Sequence, residues 1–265
     1  MTSLIDPKKY TKTLDLLRSF FLAKNFYEVH TQNRLSILAA CEDPETVATY
    51  NYGGNIWPLP QTGQMWLEYE LLKNPDAAGF FCLSTSYRAE PNPVPGRHET
   101  IFPMFEFEMH GGVEDLKKME IELCEHLGIP LDTGKIKKYD DWADYYKVRE
   151  LDHGHEYAIK RGMITHFPEW TSPFWNMARN TDGTSKKIDV ILGGMETIGS
   201  AERSTDKEQM RDTFYTISDG QYAQLIIDLF GRSRVEKELE DFLSFDFFPR
   251  SGGGIGMQRL MTALS

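Results

Sequence analysis

Between Tyr10 and Phe26 the apolar residues fall at Leu14, Leu16, Leu17, Phe20 and Phe21. That period predicts an amphipathic helix packed along one face. Val113 to Ile129 repeats it, and QYAQLIIDLF and RVEKELEDFL read as further helices. The rhythm changes between Phe80 and Met109, where FFCLSTSYRAE and IFPMFEFEM carry aromatic and alternating segments that suit two antiparallel strands. PNPVPGR between them holds three prolines and one glycine, cannot extend a ladder, and forms a loop. Lys186 to Gly199 reads as a buried strand leaving through glycines into another segment. RSGGGIGMQRLMTALS reads as a glycine-rich turn opening an apolar helix. YDDW, from Tyr139, starts a helix, and LDHGHEY, with His153 and His155, reads as a surface loop rather than a metal site.

With 265 residues and 40% hydrophobic content, the chain is long enough for one large domain over residues 1–265. No stretch approaches the roughly 18–20 apolar residues of a membrane span, and the N-terminus lacks the apolar block of a secretory signal, so a cytoplasmic protein is expected. Cys41, Cys82 and Cys124 are far apart, with no CxxC pair, and read as buried thiols. The net charge of -11 opposes binding to a phosphate backbone unless basic residues are segregated on one face, which makes tRNA an unfavoured partner.

Three stretches carry candidate chemistry. The first predicted hairpin offers Arg88 and Glu90 on one strand, Arg97 and His98 in the loop, and Phe102 on the return. Separated cations suit a bent triphosphate and an aromatic face suits adenine, although the same charges suit a solvated loop. Behind the closing glycines, among them Gly254 and Gly256, stands Arg259, and glycines let backbone approach a ligand closely. Asp189 and Glu196 bracket an apolar strand. They are oxygen donors suited to magnesium or, equally, a surface acid and a helix cap.

Taken in order, these stretches resemble the catalytic core of the class II aminoacyl-tRNA synthetases of the aspartate, asparagine and lysine subgroup. NFYEVHTQ is similar to the family's first motif, YRAE with GRHETIFPMFEFE to its second, GGGIGMQRL to its third, and PQTGQMWLE to its amino-acid loop. The resemblance implies an α+β fold, an antiparallel sheet flanked by helices. It implies Arg88 on the α-phosphate, Arg97, His98 and Arg259 near the β- and γ-phosphates, Phe102 under adenine, and Asp189 and Glu196 on Mg2+. Gln64, with Gln61, would meet the substrate's amino group, and Arg203 would read its side chain. Four positions depart from the pattern: Asn25 and Gln32 replace a glycine and a proline of the first motif, Ile101 replaces a glutamate, and Leu67 stands where aspartate-activating relatives carry a lysine.

The resemblance thus implies an AMP-forming ligase that uses ATP and Mg2+ to activate an aspartate- or asparagine-type amino acid, with a homodimer as its assembly. The first motif starts by residue 25, which leaves no room for the subgroup's anticodon-binding barrel, and MFEFE and GGGIG look similar to stretches of ammonia-dependent asparagine synthetases. Ammonia is therefore the expected acceptor. The alternatives are a paralogue that passes the amino acid to a tRNA, protein or carrier, and a non-catalytic regulatory paralogue.

Overall fold

The computed structural model describes residues 5–31, 35–37, 46–90, 92, 99–171 and 174–265. The first helix, α1 (Pro7–Ala23), opens where the Asp6 carboxylate accepts from Lys8 N at 2.9 Å and Lys9 N at 3.3 Å, with Pro7 at a position that needs no donor. It starts before Tyr10, where the apolar period alone would begin it, because this cap sets the entry. It ends at Ala23 rather than Phe26, and Asn25 then takes φ 62°, a left-handed turn that a short polar residue tolerates. Of the first-motif stretch, Tyr27–Glu28 forms strand β1, while Gln32 lies outside the described residues.

Beside β1 runs β4 (Gly79–Tyr87), in parallel, and β4 pairs antiparallel with β5 (Ile101–His110). Next comes β10 (Arg250–Gly256), then β9 (Met195–Arg203), β8 (Ser185–Leu192) and β7 (Arg161–Phe167), all antiparallel, with β6 (Ile136–Lys138) parallel at the far edge. A separate hairpin joins β2 (Ala48–Tyr52) to β3 (Asn55–Leu59). The fold is thus α+β, a mostly antiparallel sheet flanked by helices. Among the described residues no helix is long and apolar enough to cross a membrane.

Alternation along the strands divides the molecule. On one face α1, α3 (Val113–His126) and α9 (Met257–Ala263) cover Phe81, Phe105, Phe107, Ile188, Val190 and Ile198. The Phe21 ring lies 5.1–5.8 Å from those of Phe26, Phe81, Phe105 and Phe107, and burying such a ring contributes roughly 1.5–3 kcal/mol. On the other side α6 (Lys207–Thr216), α7 (Gln221–Phe230) and α8 (Arg232–Leu243) pack around Trp175, Phe214 and Phe242. Helix α2 (Gln64–Lys73) contributes Met65 and Leu72 to that core, and Leu67 and Leu71 to a small cluster over Phe80 and Cys82.

Two expectations from the sequence are corrected. RSGGGIG is not a turn but β10, a central strand of the sheet, and its glycines are required by crowding from both sides. A methyl group on Gly252 would lie 2.1 Å from Glu108 Oε2 and 2.2 Å from the Phe107 carbonyl, and one on Gly253 2.5 Å from Ser200 Cβ. The segment with His153 and His155 is not a loop but helix α5 (His153–Ile159), capped by Asp152 accepting from Gly154 N at 2.8 Å. As expected, YDDW opens a helix, α4 (Tyr139–Tyr146). Cys82 and Cys124 are buried, and burial pushes both thiols up, that of Cys124 to about 12; Cys41 lies outside the described residues.

Candidate active site

Strands β5, β10, β9 and β8 floor a cavity of about 420 Å³, walled by the start of α2 and by Arg88 and Glu90 just past β4, and closed at one end by α9. That size suits a small-molecule site. Gln61, Gln64, Arg88, Glu90, Phe102, Glu196, Arg203, Gly254, Gly256 and Arg259 all line it. Residues expected to act together from distant parts of the chain therefore do share one space. Arg97 and His98 lie outside the described residues.

One end backs onto buried, paired charge. Because Gly63 ends a short loop with its N–H pointing at β5, Glu106 accepts from Gly63 N at 2.8 Å, as well as from the hydroxyls of Thr62 and Ser84. Gln64, the first residue of α2, donates to the Phe107 carbonyl at 2.8 Å and to Glu108. Gln61 donates to Thr46 Oγ1 at 2.5 Å and takes the Ser86 hydroxyl on its own carbonyl at 2.7 Å, which fixes it as the loop's anchor. On β9, Arg203 donates from Nε and Nη2 to the two oxygens of Glu108, both at 3.3 Å, and from Nη2 to the Gly252 carbonyl at 3.2 Å. Glu68 stands 3.6 Å from Arg203 and forms a 2.7 Å pair with Arg250, while Asn176 donates to it at 2.7 Å.

Glu68, Glu106, Glu108 and Arg250 have no exposed surface. Desolvation disfavours their charged forms, and the geometry answers it with fitted partners. Burial raises Glu106 while its hydroxyl and amide donors pull it back. Glu108 is pushed up to about 7 by burial, Arg203 and Arg250 acting against the shift and Glu68 with it. Sequence reasoning alone misses Glu106, which lines the cavity, and the buried Glu68, Glu108 and Arg250, which pair behind it. MFEFE does hold a readable signal, because its two glutamates share a parity and so point to one face of a strand whose other positions are phenylalanine.

The other end is wider and wetter. Arg88 and Glu90 fall just past the end of β4 rather than on a strand; the Arg88 guanidinium carbon lies 5.8 Å from the Phe102 ring centre, and Arg88 N donates to the Thr100 carbonyl at 2.8 Å. Arg259, on the first turn of α9, donates to the Glu196 carbonyl at 2.7 Å and stands 3.9 Å from its carboxylate. The tight β8–β9 connection at Gly193 and Gly194 brings Asp189 and Glu196 back to one place. A methyl group on Gly199 would lie 2.8 Å from Glu196 Oε1 and 3.8 Å from Asp189 Oδ1, so both carboxylates close on that point. This all-oxygen donor pair fits a hard divalent cation that completes its shell with phosphate and water. Lys187 pairs with Asp189 at 3.3 Å, and Glu156 on α5 accepts from Glu196 N at 3.3 Å, holding the start of β9. Of the departures, Leu67 is fully buried away from the cavity and Ile101 is exposed.

Solved structures share this architecture. The asparaginyl-tRNA synthetase from Pyrococcus horikoshii complexed with asparaginyl-adenylate superposes with a TM-score of 0.77 at 19% identity, over 97% of this chain and 64% of that one. The asparaginyl-tRNA synthetase from Entamoeba histolytica gives 0.78 at 16%, over 97% and 63%, and the aspartyl-tRNA synthetase from the same organism 0.71 at 17%, over 97% and 54%. The fold is that of a class II synthetase core. By sequence, residues 8–265 match the family described as tRNA synthetases class II (D, K and N), and the chain belongs to that family. It spans less than two thirds of the length of these synthetases. No curated protein matches it by sequence.

Proposed function

We propose that this chain is an amino-acid-adenylating ligase, one domain over residues 1–265, which uses ATP and Mg2+ to activate an aspartate- or asparagine-type amino acid. The observation that carries the reading is the sharing of one cavity by Arg88, Arg259 and Glu196 at its open end and Gln64 and Arg203 at its buried end. A nucleotide and an amino acid held so meet at Arg88. The substrate carboxylate attacks the α-phosphorus in line, the bond to pyrophosphate breaks, and Arg88 stabilises the charge on the α-phosphoryl oxygens. Arg259 receives the leaving pyrophosphate, with Arg97 and His98 assigned beside it, and Phe102 carries the adenine on its face, next to Glu90. Gly254 and Gly256 leave room for the nucleotide above β10. Asp189 and Glu196 would hold Mg2+, which when bound neutralises phosphate charge. No side chain is needed as a nucleophile.

The acceptor in this reading is ammonia. With aspartate activated at its side-chain carboxylate, ammonia attacks the acyl carbon, the bond to AMP breaks, a proton leaves, and the product is asparagine. The similarity of MFEFE and GGGIG to ammonia-dependent asparagine synthetases supports it, as does the net charge of -11, which suits a small acceptor better than tRNA. The setting is the cytoplasm and the assembly a homodimer. Purified protein given ATP, Mg2+, aspartate and ammonium should form AMP and asparagine, and pyrophosphate should exchange into ATP only when the amino acid is present. Failure of exchange with every standard amino acid removes the reading. Release of AMP that waits on a tRNA or protein moves the acceptor there.

A further inference from the structure

The two carboxylates assigned to Mg2+ are not equally open to the cavity. Glu196 and Gly199 line it, whereas Asp189 sits behind the wall, its side chain only 10% exposed. The residue of β8 that does line the cavity is Lys187. Strand alternation turns Lys187 and Asp189 to one face, and the Lys187 ammonium lies 3.3 Å from Asp189 Oδ2 and 4.5 Å over the Phe167 ring centre. Glu196 also faces a cation, Arg259 on α9, 3.9 Å from its carboxylate. A divalent cation approaching Asp189 from the cavity therefore meets an ammonium group first, and like charges repel strongly where little water screens them. A triphosphate alters this balance, because it offers the ammonium a second anion.

We propose that Lys187 is the counter-ion a divalent metal must displace from Asp189, and that it moves to a phosphate oxygen when the nucleotide arrives. It closes the carboxylate pair to a bare metal ion and opens it to a metal that enters with a triphosphate. Lys187 is thus a positioning residue for the metal and a binding residue for the nucleotide. Its flexible stem and three rotatable donors let the ammonium change partners while β8 stays in place, which a planar, forked guanidinium does less readily. The assignment of Asp189 and Glu196 to Mg2+, and of this end to the triphosphate, rests on the adenylating reading above.

Binding alone tests it, without turnover. Mn2+ is the probe, its free fraction read by electron paramagnetic resonance. Native protein without nucleotide should bind Mn2+ weakly, and Lys187→Met, which keeps an unbranched stem but loses the charge, should bind it about tenfold more tightly. The same variant should bind a non-hydrolysable ATP analogue, without metal, roughly tenfold more weakly. Lys187→Gln, which can still hydrogen-bond to Asp189, should repeat both shifts, and Lys187→Arg should shift neither in that direction. Equal Mn2+ affinity in native protein and both neutral variants overturns the proposal. So do neutral variants that bind metal and analogue alike more weakly, which would make Lys187 a support of the strand, and native protein that holds no Mn2+ even with the analogue. Opposite shifts without pyrophosphate exchange for any amino acid uphold the role of Lys187 and remove the adenylating reading instead.

Discussion

The two ends of the cavity are built on opposite principles. At the buried end the charges are matched by fitted partners, Glu108 by Arg203, Glu68 by Arg250 and Glu106 by the donors of Thr62, Gly63 and Ser84. At the open end the cations sit in partial contact with water, the Arg259 side chain being 38% exposed, 3.9 Å from the Glu196 carboxylate while it donates to the Glu196 carbonyl at 2.7 Å. A small side chain must be recognised by fixed donors, because it brings little binding energy to spend on ordering them. A triphosphate brings charge enough to gather its own partners. The buried end should therefore answer to mutation in stability, and the open end in catalysis.

The sharpest way to break this contrast is Arg250→Met. Removing the guanidinium leaves buried Glu68 with the Asn176 amide and an Arg203 guanidinium 3.6 Å away, and breaking one partner of a buried pair costs about 3–5 kcal/mol. A urea unfolding midpoint should drop accordingly; a loss below about 1 kcal/mol would mean that water reaches Glu68. At the other end, Arg259→Ala should move stability by no more than about 1 kcal/mol, since its ion pair is half in solvent. Pyrophosphate exchange should fall by roughly 10²–10³, as expected when a fixed charge is lost from a developing anion. Equal losses of stability in both variants would erase the distinction between the ends.

Much of this arrangement could be read from the residues, and the parts that could not share a cause. Helical and alternating periods located α3, α7, α8, β4 and β5, since amphipathic packing writes itself into the order of side chains. Arg88, Arg203, Glu196 and Arg259 were legible because their order along the chain resembles a family pattern. The strand character of GGGIG was not, because glycine has low strand propensity and the need for it comes from Glu108 and Ser200 on neighbouring strands. Glu68 and Arg250 were hidden likewise. They are 182 positions apart, and nothing local in either segment announces the pair.

A third buried glutamate sharpens the comparison by serving as its control. Glu120 on α3 lies on the far side of the sheet from the cavity, with no exposed surface, and its oxygens meet no hydrogen-bond donor among the described residues. The neighbouring Ser200 hydroxyl donates to the Ile188 carbonyl at 3.3 Å. Burial pushes Glu120 up to about 8, the adjacent Ser200 hydroxyl pulling against it and the Asp189 charge adding to it, higher than Glu108, which has Arg203 to hold it down. In the unfolded chain Glu120 ionises near 4.5, so between there and about 8 the unfolded state binds fewer protons than the folded one. Stability must then fall as pH rises through that window. Glu120→Gln abolishes this titration and should stabilise the fold at pH 8 by on the order of 4 kcal/mol, with little change at pH 4. Urea midpoints of both proteins at the two pH values check it. Parallel curves would mean that Glu120 is already solvated, and that burial without a guanidinium is not what separates it from the carboxylates of the cavity.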